Sequence, residues 1–307
     1  MYKVLFVHSF SQLGGAEHSL QYHQEFAPRS VRIVSIRPED QCDLKEYDAI
    51  VLGNLRPQGG QGVEMELMWL LRWAKLLQSY RGFSLRSERD VHPCTHRDGR
   101  CLVGKELKKT PCDCTFSQRD AAELLYNACS AVQFLSPAHQ KAINQLINVS
   151  GSQHVIGSPI NLSQFRVTVP PSKRPAKALI LGDDIRVADT AQQRARDAGF
   201  EPERIEYLSV PFKRMSKLYN QYQAVVVDPI MVHAFGRIAV EAMACGCRVL
   251  ASDRVGAMSW PDPIKASQEA NEKFWSLIME GCSSRHLRFE KQKVEQNQKT
   301  FLQKHIP

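Results

Sequence analysis

The chain has 307 residues, 43% hydrophobic and 23% charged, with a formal net charge of +8. That composition excludes a disordered or low-complexity chain, and the length suits two domains of about 150 residues, each able to bury its own core. No apolar run reaches the ~18 residues that a membrane span needs, and the opening Met1-Tyr2-Lys3 is too short for a signal peptide; a cytoplasmic protein is expected.

Val4-Leu5-Phe6-Val7 is a continuous apolar run, as in a parallel strand buried on both faces. A glycine loop (Leu13-Gly14-Gly15-Ala16) and a helix-compatible stretch from Glu17 to Phe26 follow. Val31–Ile36 and Ala49–Leu52 read as further strands, and Val63–Tyr80 has helical spacing. Residues 92–118 break the pattern and read as an inserted loop rich in Cys, basic residues and turn formers. Helical spacing returns at Arg119–Cys129. Val132–Leu135 is the next strand and Pro137–Ile147 the next helix.

The proline-rich stretch Thr168–Pro175 reads as an interdomain linker. A second strand–helix series follows: Ala178–Leu181, Asp189–Ala198, Ala224–Val227, Gly236–Ala244 and Val249–Ala251. Such alternation predicts an α/β fold of doubly wound sheets. The expected domains are 1–167, with the insertion 92–118, and 168–284, followed by a helix-prone tail over 285–307.

Residues 229–256 (PIMVHAFGRIAVEAMACGCRVLASDRVG) carry the most chemistry. A strand leads through Phe235-Gly236 into a helix, whose N-terminus presents free N–H groups and partial positive charge suited to phosphate. Gly236 permits close approach to the backbone. Glu241 interrupts an otherwise apolar helix, so its carboxylate must be bound to hydroxyls or paired. Arg237, four residues earlier, is the obvious ion-pair partner.

FGRIAVEAMACGCRVLAS resembles the donor-binding helix of GT-B glycosyltransferases, close to the retaining family 4 and its E-x7-E pattern. The opening VLFVHSFSQLGGAEHSL is similar to the family's first strand and glycine loop. Residues 155–165 resemble its interdomain segment, and SVPFKRMSKLY the stretch before its next strand. The resemblance implies two Rossmann-like domains facing each other across a cleft. It implies sugar transfer from a UDP- or GDP-sugar to an acceptor hydroxyl, with retention of configuration. Glu241 would hold the ribose, while His233 stands where the family's first Glu contacts the donor sugar. Gly14, Gly15, Phe235, Gly236 and Arg237 would face the diphosphate. Arg186 and Lys213 are the further cations for the departing diphosphate, whose charge develops in the transition state. Ser87-Glu88-Arg89-Asp90 matches the acceptor-side "EHD" stretch with Arg89 in the His place, so Glu88 or Asp90 would orient the acceptor, unless both belong to a surface ion-pair cluster.

Nine basic residues against five acidic ones lie between Arg81 and Arg119, a local excess of four. The same stretch holds Cys94, Cys101, Cys112 and Cys114, spaced C-x6-C-x10-C-x-C. Four thiolates suit a structural zinc, although the spacing is not that of a standard ribbon. Free thiols, a disulfide or an iron–sulfur cluster are the alternatives. A basic insertion on the acceptor side also favours a polyanionic acceptor, in its specific form nucleic acid with hydroxymethylated bases, as in phage DNA-modifying enzymes. The other acceptors are saccharides, lipid-linked sugars and small molecules. A catalytically degenerate nucleotide- or nucleic-acid-binding module is the non-enzymatic alternative.

Overall fold

The computed structural model describes residues 1–9, 15–55, 62–89, 93, 116–182, 190–206, 209–229 and 232–284. The first half is a parallel sheet of order β2-β1-β3-β4-β5-β6. Its strands are β1 (Tyr2–Val7), β2 (Val31–Ile36), β3 (Ala49–Leu52), β4 (Phe83–Ser87), β5 (Ala131–Phe134) and β6 (Ser152–Val155). Its helices are α1 (Gly15–Glu25), α2 (Gly62–Ser79), α3 (Phe116–Ala128) and α4 (Pro137–Asn144). The second half is a parallel sheet of order β10-β9-β7-β8. It is built from β7 (Lys177–Leu181), α5 (Thr190–Asp197), β8 (Glu201–Ile205), α6 (Met215–Tyr219), β9 (Ala224–Val227), α7 (Arg237–Ala244), β10 (Arg248–Ala251) and α8 (Pro263–Gln268).

The alternation of side chains along each strand explains why the central strands read as unbroken apolar runs. Leu5, Val7, Ile50 and Leu52 face Trp73, Leu77, Leu125 and Tyr126 of α2 and α3. Val4, Phe6, Ala49 and Val51 face Leu20 of α1 on the other side. In the second sheet Leu179, Val225 and Val227 pack on Tyr219, Ala239 and Val240, and Ala178, Ile180 and Val226 on Ala191 and Ala195 of α5.

Three strands escape the sequence reading. β4 is FSLRS and fully buried, yet a strand with two serines and an arginine does not look apolar. β8 (EPERI) is an edge strand containing Pro202, where proline costs no ladder bond. β6 (SQHV) is likewise an edge strand of mixed polarity.

The sequence reading also carries the second domain through residue 284. Instead, a helix over 270–284, here α9, returns to the first sheet. Its Phe274, Trp275, Ile278 and Cys282 share a core with Val4, Phe6 and Phe83. The His23 ring stacks on Phe274 at 3.9 Å between centroids, and Trp275 Nε1 donates to the His23 carbonyl at 2.9 Å. The physical reason is visible only in three dimensions: without α9 this face of the first sheet would expose Phe6 to water.

The stretch expected to be a linker is tied down by one buried side chain. The Arg174 guanidinium donates to the carbonyls of Val169 (2.9 Å), Tyr222 (2.9 Å) and Cys245 (2.7 Å), and to Asn220 Oδ1 (3.1 Å). Asn220 Oδ1 also accepts from the Thr168 and Val169 backbone N–H groups. Arg174→Ala would strand several buried acceptors at ~1 kcal/mol or more each. A loss of about 3 kcal/mol in urea unfolding is expected, and a loss below 1 kcal/mol would show the clamp to be dispensable.

Candidate functional site

Both sheets turn the C-terminal ends of their strands toward a common seam, where ligands bind in open α/β sheets. The halves touch there through specific bonds. Ser136 Oγ accepts from the His139 N–H at 3.0 Å, capping α4, and donates to the Ala234 carbonyl at 2.8 Å. Trp260 Nε1 donates to the Leu135 carbonyl at 3.1 Å. The His18 ring of α1 stacks on Phe212 at 4.0 Å between centroids. Gly256 lies so close that an added Cβ would stand 2.2 Å from the Ala234 carbonyl oxygen and 2.4 Å from Ser136 Oγ.

The second half supplies the loop before α7. His233 is held in it by backbone bonds: its N–H donates to the Arg254 carbonyl at 2.9 Å, and its carbonyl accepts from Gly256 at 3.0 Å. Phe235 is buried, and its carbonyl accepts from Ala257 at 2.6 Å. Gly236 then caps α7 at φ 81°, the left-handed region, and no side chain caps the helix. A Cβ there would also meet Val255 Cγ1 at 2.7 Å, so both backbone conformation and space require glycine.

One turn into the helix, Glu241 is only 3% exposed. Arg237 Nη2 lies 3.3 Å from its Oε1, and the Tyr219 hydroxyl donates to its Oε2 at 3.2 Å. The ion pair anticipated from the four-residue spacing is therefore formed. Each carboxylate oxygen still has lone-pair capacity beyond these bonds. Burial raises the Glu241 pKa, and Arg237 and Tyr219 pull it back.

Arg237 also reaches across the seam. Its Nη1 donates to Ser158 Oγ at 3.2 Å and to the Pro159 carbonyl. Ser158 Oγ in turn donates to Ser19 Oγ of α1 at 3.0 Å. A Cβ on Gly15 would lie 3.2 Å from Arg237 Cδ, so the first-half glycine loop and the second-half helix meet at this arginine. Gly15, Arg237 and Glu241 are thus brought together. Lys213 lies exposed in a short turn between β8 and α6. Gly14, Asp90, Arg186 and all four clustered cysteines, Cys94, Cys101, Cys112 and Cys114, lie outside the described residues. Among the described residues no group of His, Cys, Asp or Glu gathers as metal ligands.

Glu88 is ion-paired, as one of its two sequence readings has it, but inside the fold and not at the surface. It is 0% exposed, as is Arg86. Arg86 Nη2 and Nε donate to Glu88 Oε2 at 2.7 and 3.1 Å, Arg86 Nη1 donates to the carbonyls of Leu52 and Gly53, and the Tyr126 hydroxyl donates to the same Oε2. Burial works against the Arg86 charge, but Glu88 and Tyr126 outweigh it and hold the Arg86 pKa above its ordinary value. Burial, then the Glu88 charge, pushes the Tyr126 pKa well up.

His8, at the end of β1, is 8% exposed. Burial first and the Arg89 charge second push its pKa down to about 4. The unfolded histidine titrates near 6.5. Between those values the unfolded chain takes up a proton that the fold refuses. Stability is therefore expected to fall by up to about 3 kcal/mol as the pH drops from 6.5 toward 4, with no further loss from this group below 4. His23, also held well below its ordinary value by burial, acts with the same sign. Urea unfolding at pH 7 and pH 5 should show the loss, and His8→Gln should shrink it; an unchanged difference would assign the loss to other groups.

Tyr219, Ser19, Ser158 and His18 join the site without having been singled out. Tyr219 lay within a stretch that resembled the family, but nothing in its local sequence marks its hydroxyl. Serines 19 and 158 meet only because α1 and the interdomain crossing are adjacent in space.

Residues 162–260 match the family model "Glycosyl transferases group 1". Over that third of the chain the sequence is similar to the group 1 glycosyltransferases. Its fold is GT-B. The sucrose-phosphate synthase of Thermosynechococcus elongatus superposes with a TM-score of 0.57 at 12% identity, over 96% of this chain and 99% of that one. Anabaena HepE (Alr3699), solved with UDP and glucose, superposes with a TM-score of 0.51 at 14% identity, over 96% and 100% of the two chains. HepE with UDP alone gives 0.52 at 14% identity, over 95% and 100%. At these identities the likeness is one of fold. No curated protein sequence matches the chain. Among the described residues no helix is long and apolar enough to cross a membrane.

Proposed function

We propose that this chain is a glycosyltransferase that moves a sugar from a nucleoside-diphosphate sugar, with UDP-sugars the first choice, to an acceptor hydroxyl. The observation that carries the reading is Glu241. It is a buried carboxylate one turn into a helix whose N-terminus opens at a left-handed glycine beside the seam. In this reading Glu241 accepts hydrogen bonds from the ribose hydroxyls. The Gly236 N-terminus of α7, with Gly15 and His233 beside the seam, receives the diphosphate and donor sugar. Arg237 orients Glu241 and ties α7 to the interdomain crossing. Arg186 and Lys213 are the further cations for the leaving diphosphate. Asp90 is assigned to the acceptor. Glu88 is assigned to holding the end of β4, because its Oε2 is taken up by Arg86 and Tyr126. Retention of configuration is assigned on the resemblance to family 4. HepE bound to UDP and to UDP-glucose supports the uridine nucleotide as the first donor to try.

The test is nucleotide release from a panel of UDP- and GDP-sugars, each with a mixture of saccharide acceptors, plain DNA, hydroxymethylated DNA, or no acceptor. Release from one donor, raised by one acceptor class, supports the reading and names the acceptor. Nucleotide binding without turnover would make the chain a degenerate binding module. Neither binding nor turnover would sink the reading.

A further inference from the structure

Three guanidinium groups of the described residues are buried to 6% exposure or less: Arg86, Arg174 and Arg89. Arg86 is met by Glu88 and two backbone carbonyls, and Arg174 by a ring of carbonyls and Asn220. Arg89 is not met in this way. Its Nη1 donates to Ser19 Oγ, but its Nε and Nη2 have no hydrogen-bond partner among the described residues. Of its charged neighbours, Arg237 and Arg86 repel it while Glu17 and Glu88 attract it, Glu88 being already bound to Arg86 and Tyr126. Burial, then the Arg237 charge, pulls its pKa down to about 9, so the cation is kept at neutral pH at a cost to the fold. Buried charges without partners are rare because desolvation is not repaid. The residue stands just past β4, at the strand ends that face the seam. Through Ser19 and Ser158 it is hydrogen-bonded in series to Arg237 of the other half.

We propose that Arg89 binds an anion: its Nε and Nη2 receive a phosphate or carboxylate oxygen of a molecule held in the seam. A guanidinium edge with two unspent donors matches the paired oxygens of such a group. That the molecule is a substrate rests on the function proposed above. Its acid group then belongs either to the donor's diphosphate or to an acidic acceptor, such as a sugar phosphate or a uronate.

The experiment compares the full chain with Arg89→Met, which keeps length and removes charge, and Arg89→Lys, which keeps charge and removes the fork. Calorimetry measures UDP against uridine, glucose 6-phosphate and glucuronate against glucose, and inorganic phosphate. At least one anionic probe should bind the wild type and weaken tenfold or more in Arg89→Met, with the neutral counterpart unchanged and Arg89→Lys in between. Loss confined to UDP assigns the donor, and loss confined to the sugar acids assigns the acceptor. Removing an unrepaid charge should also raise the Tm of Arg89→Met by a few degrees. Anion binding that is the same in all three proteins overturns the proposal. So does a fall in Tm of several degrees, which would make the guanidinium a structural tie of α1. If the wild type binds no nucleotide, the functional reading fails while the phosphate and sugar-acid arms still decide on Arg89.

Discussion

Glu241→Gln is expected to weaken UDP binding by about tenfold to a hundredfold while the protein stays folded. A hydrogen bond to a charged group is worth about 1.5–3 kcal/mol, and each 1.4 kcal/mol is tenfold in affinity. The substitution conserves volume, but only one side-chain oxygen remains. Arg237, 3.3 Å from Oε1, is a pure donor and will hold that oxygen. The amide NH2 is then turned toward Tyr219, whose hydroxyl now donates to Oε2 at 3.2 Å. Acceptor capacity is lost on the side left for the ribose. Because Arg237 keeps the Pro159 carbonyl and Ser158 Oγ, the stability cost should stay near 1–2 kcal/mol. Calorimetry with UDP and a urea melt on the same sample separate the two effects. Unchanged UDP affinity with lowered stability would show that Glu241 serves only as the ion-pair partner of Arg237.

Glu88→Gln should do the reverse, acting on the fold far more than on the chemistry. The Arg86–Glu88 pair has no exposed surface on either side. Removing one member of a buried pair leaves the other charge uncompensated, at about 3–5 kcal/mol. The Arg86 charge then faces a neutral amide, and the Tyr126 hydroxyl competes with it for one oxygen. Since Arg86 also anchors the carbonyls of Leu52 and Gly53, the ends of β3 and β4 should loosen together. Urea unfolding reads the loss directly. A variant as stable as wild type but with turnover lowered a hundredfold or more would return Glu88 to the role its sequence position implies.

Much of the fold was legible because burial on both faces leaves a plain trace. Val4–Val7, Ala49–Leu52 and Ala224–Val227 could hardly be anything but central strands of parallel sheets, and the Gly236–Glu241 stretch announced a helix with an anion-ready start. The failures have the opposite physical cause. β4 is buried not by being apolar but by internal pairing, since Arg86 finds Glu88 two residues on and Tyr126 from α3. Local patterning shows the charges and not their neutralisation, so a buried pair in sequence looks like a surface cluster.

Sequence alone determined the two α/β halves, the glycine-led helix α7 and the Arg237–Glu241 spacing, because each depends on residues within one or two helical turns or on a single strand's period. Only the tertiary structure decided the rest. It brought Gly15 against Arg237, linked Ser158 to Ser19, returned helix 270–284 to the first sheet, turned Glu88 inward to Arg86, and left Arg89 buried with its Nε and Nη2 unpartnered among the described residues. Each of those joins groups far apart in the chain or depends on what surrounds a charge. Whether a charge is solvated, paired or stranded is a property of its surroundings in space, which no local pattern encodes.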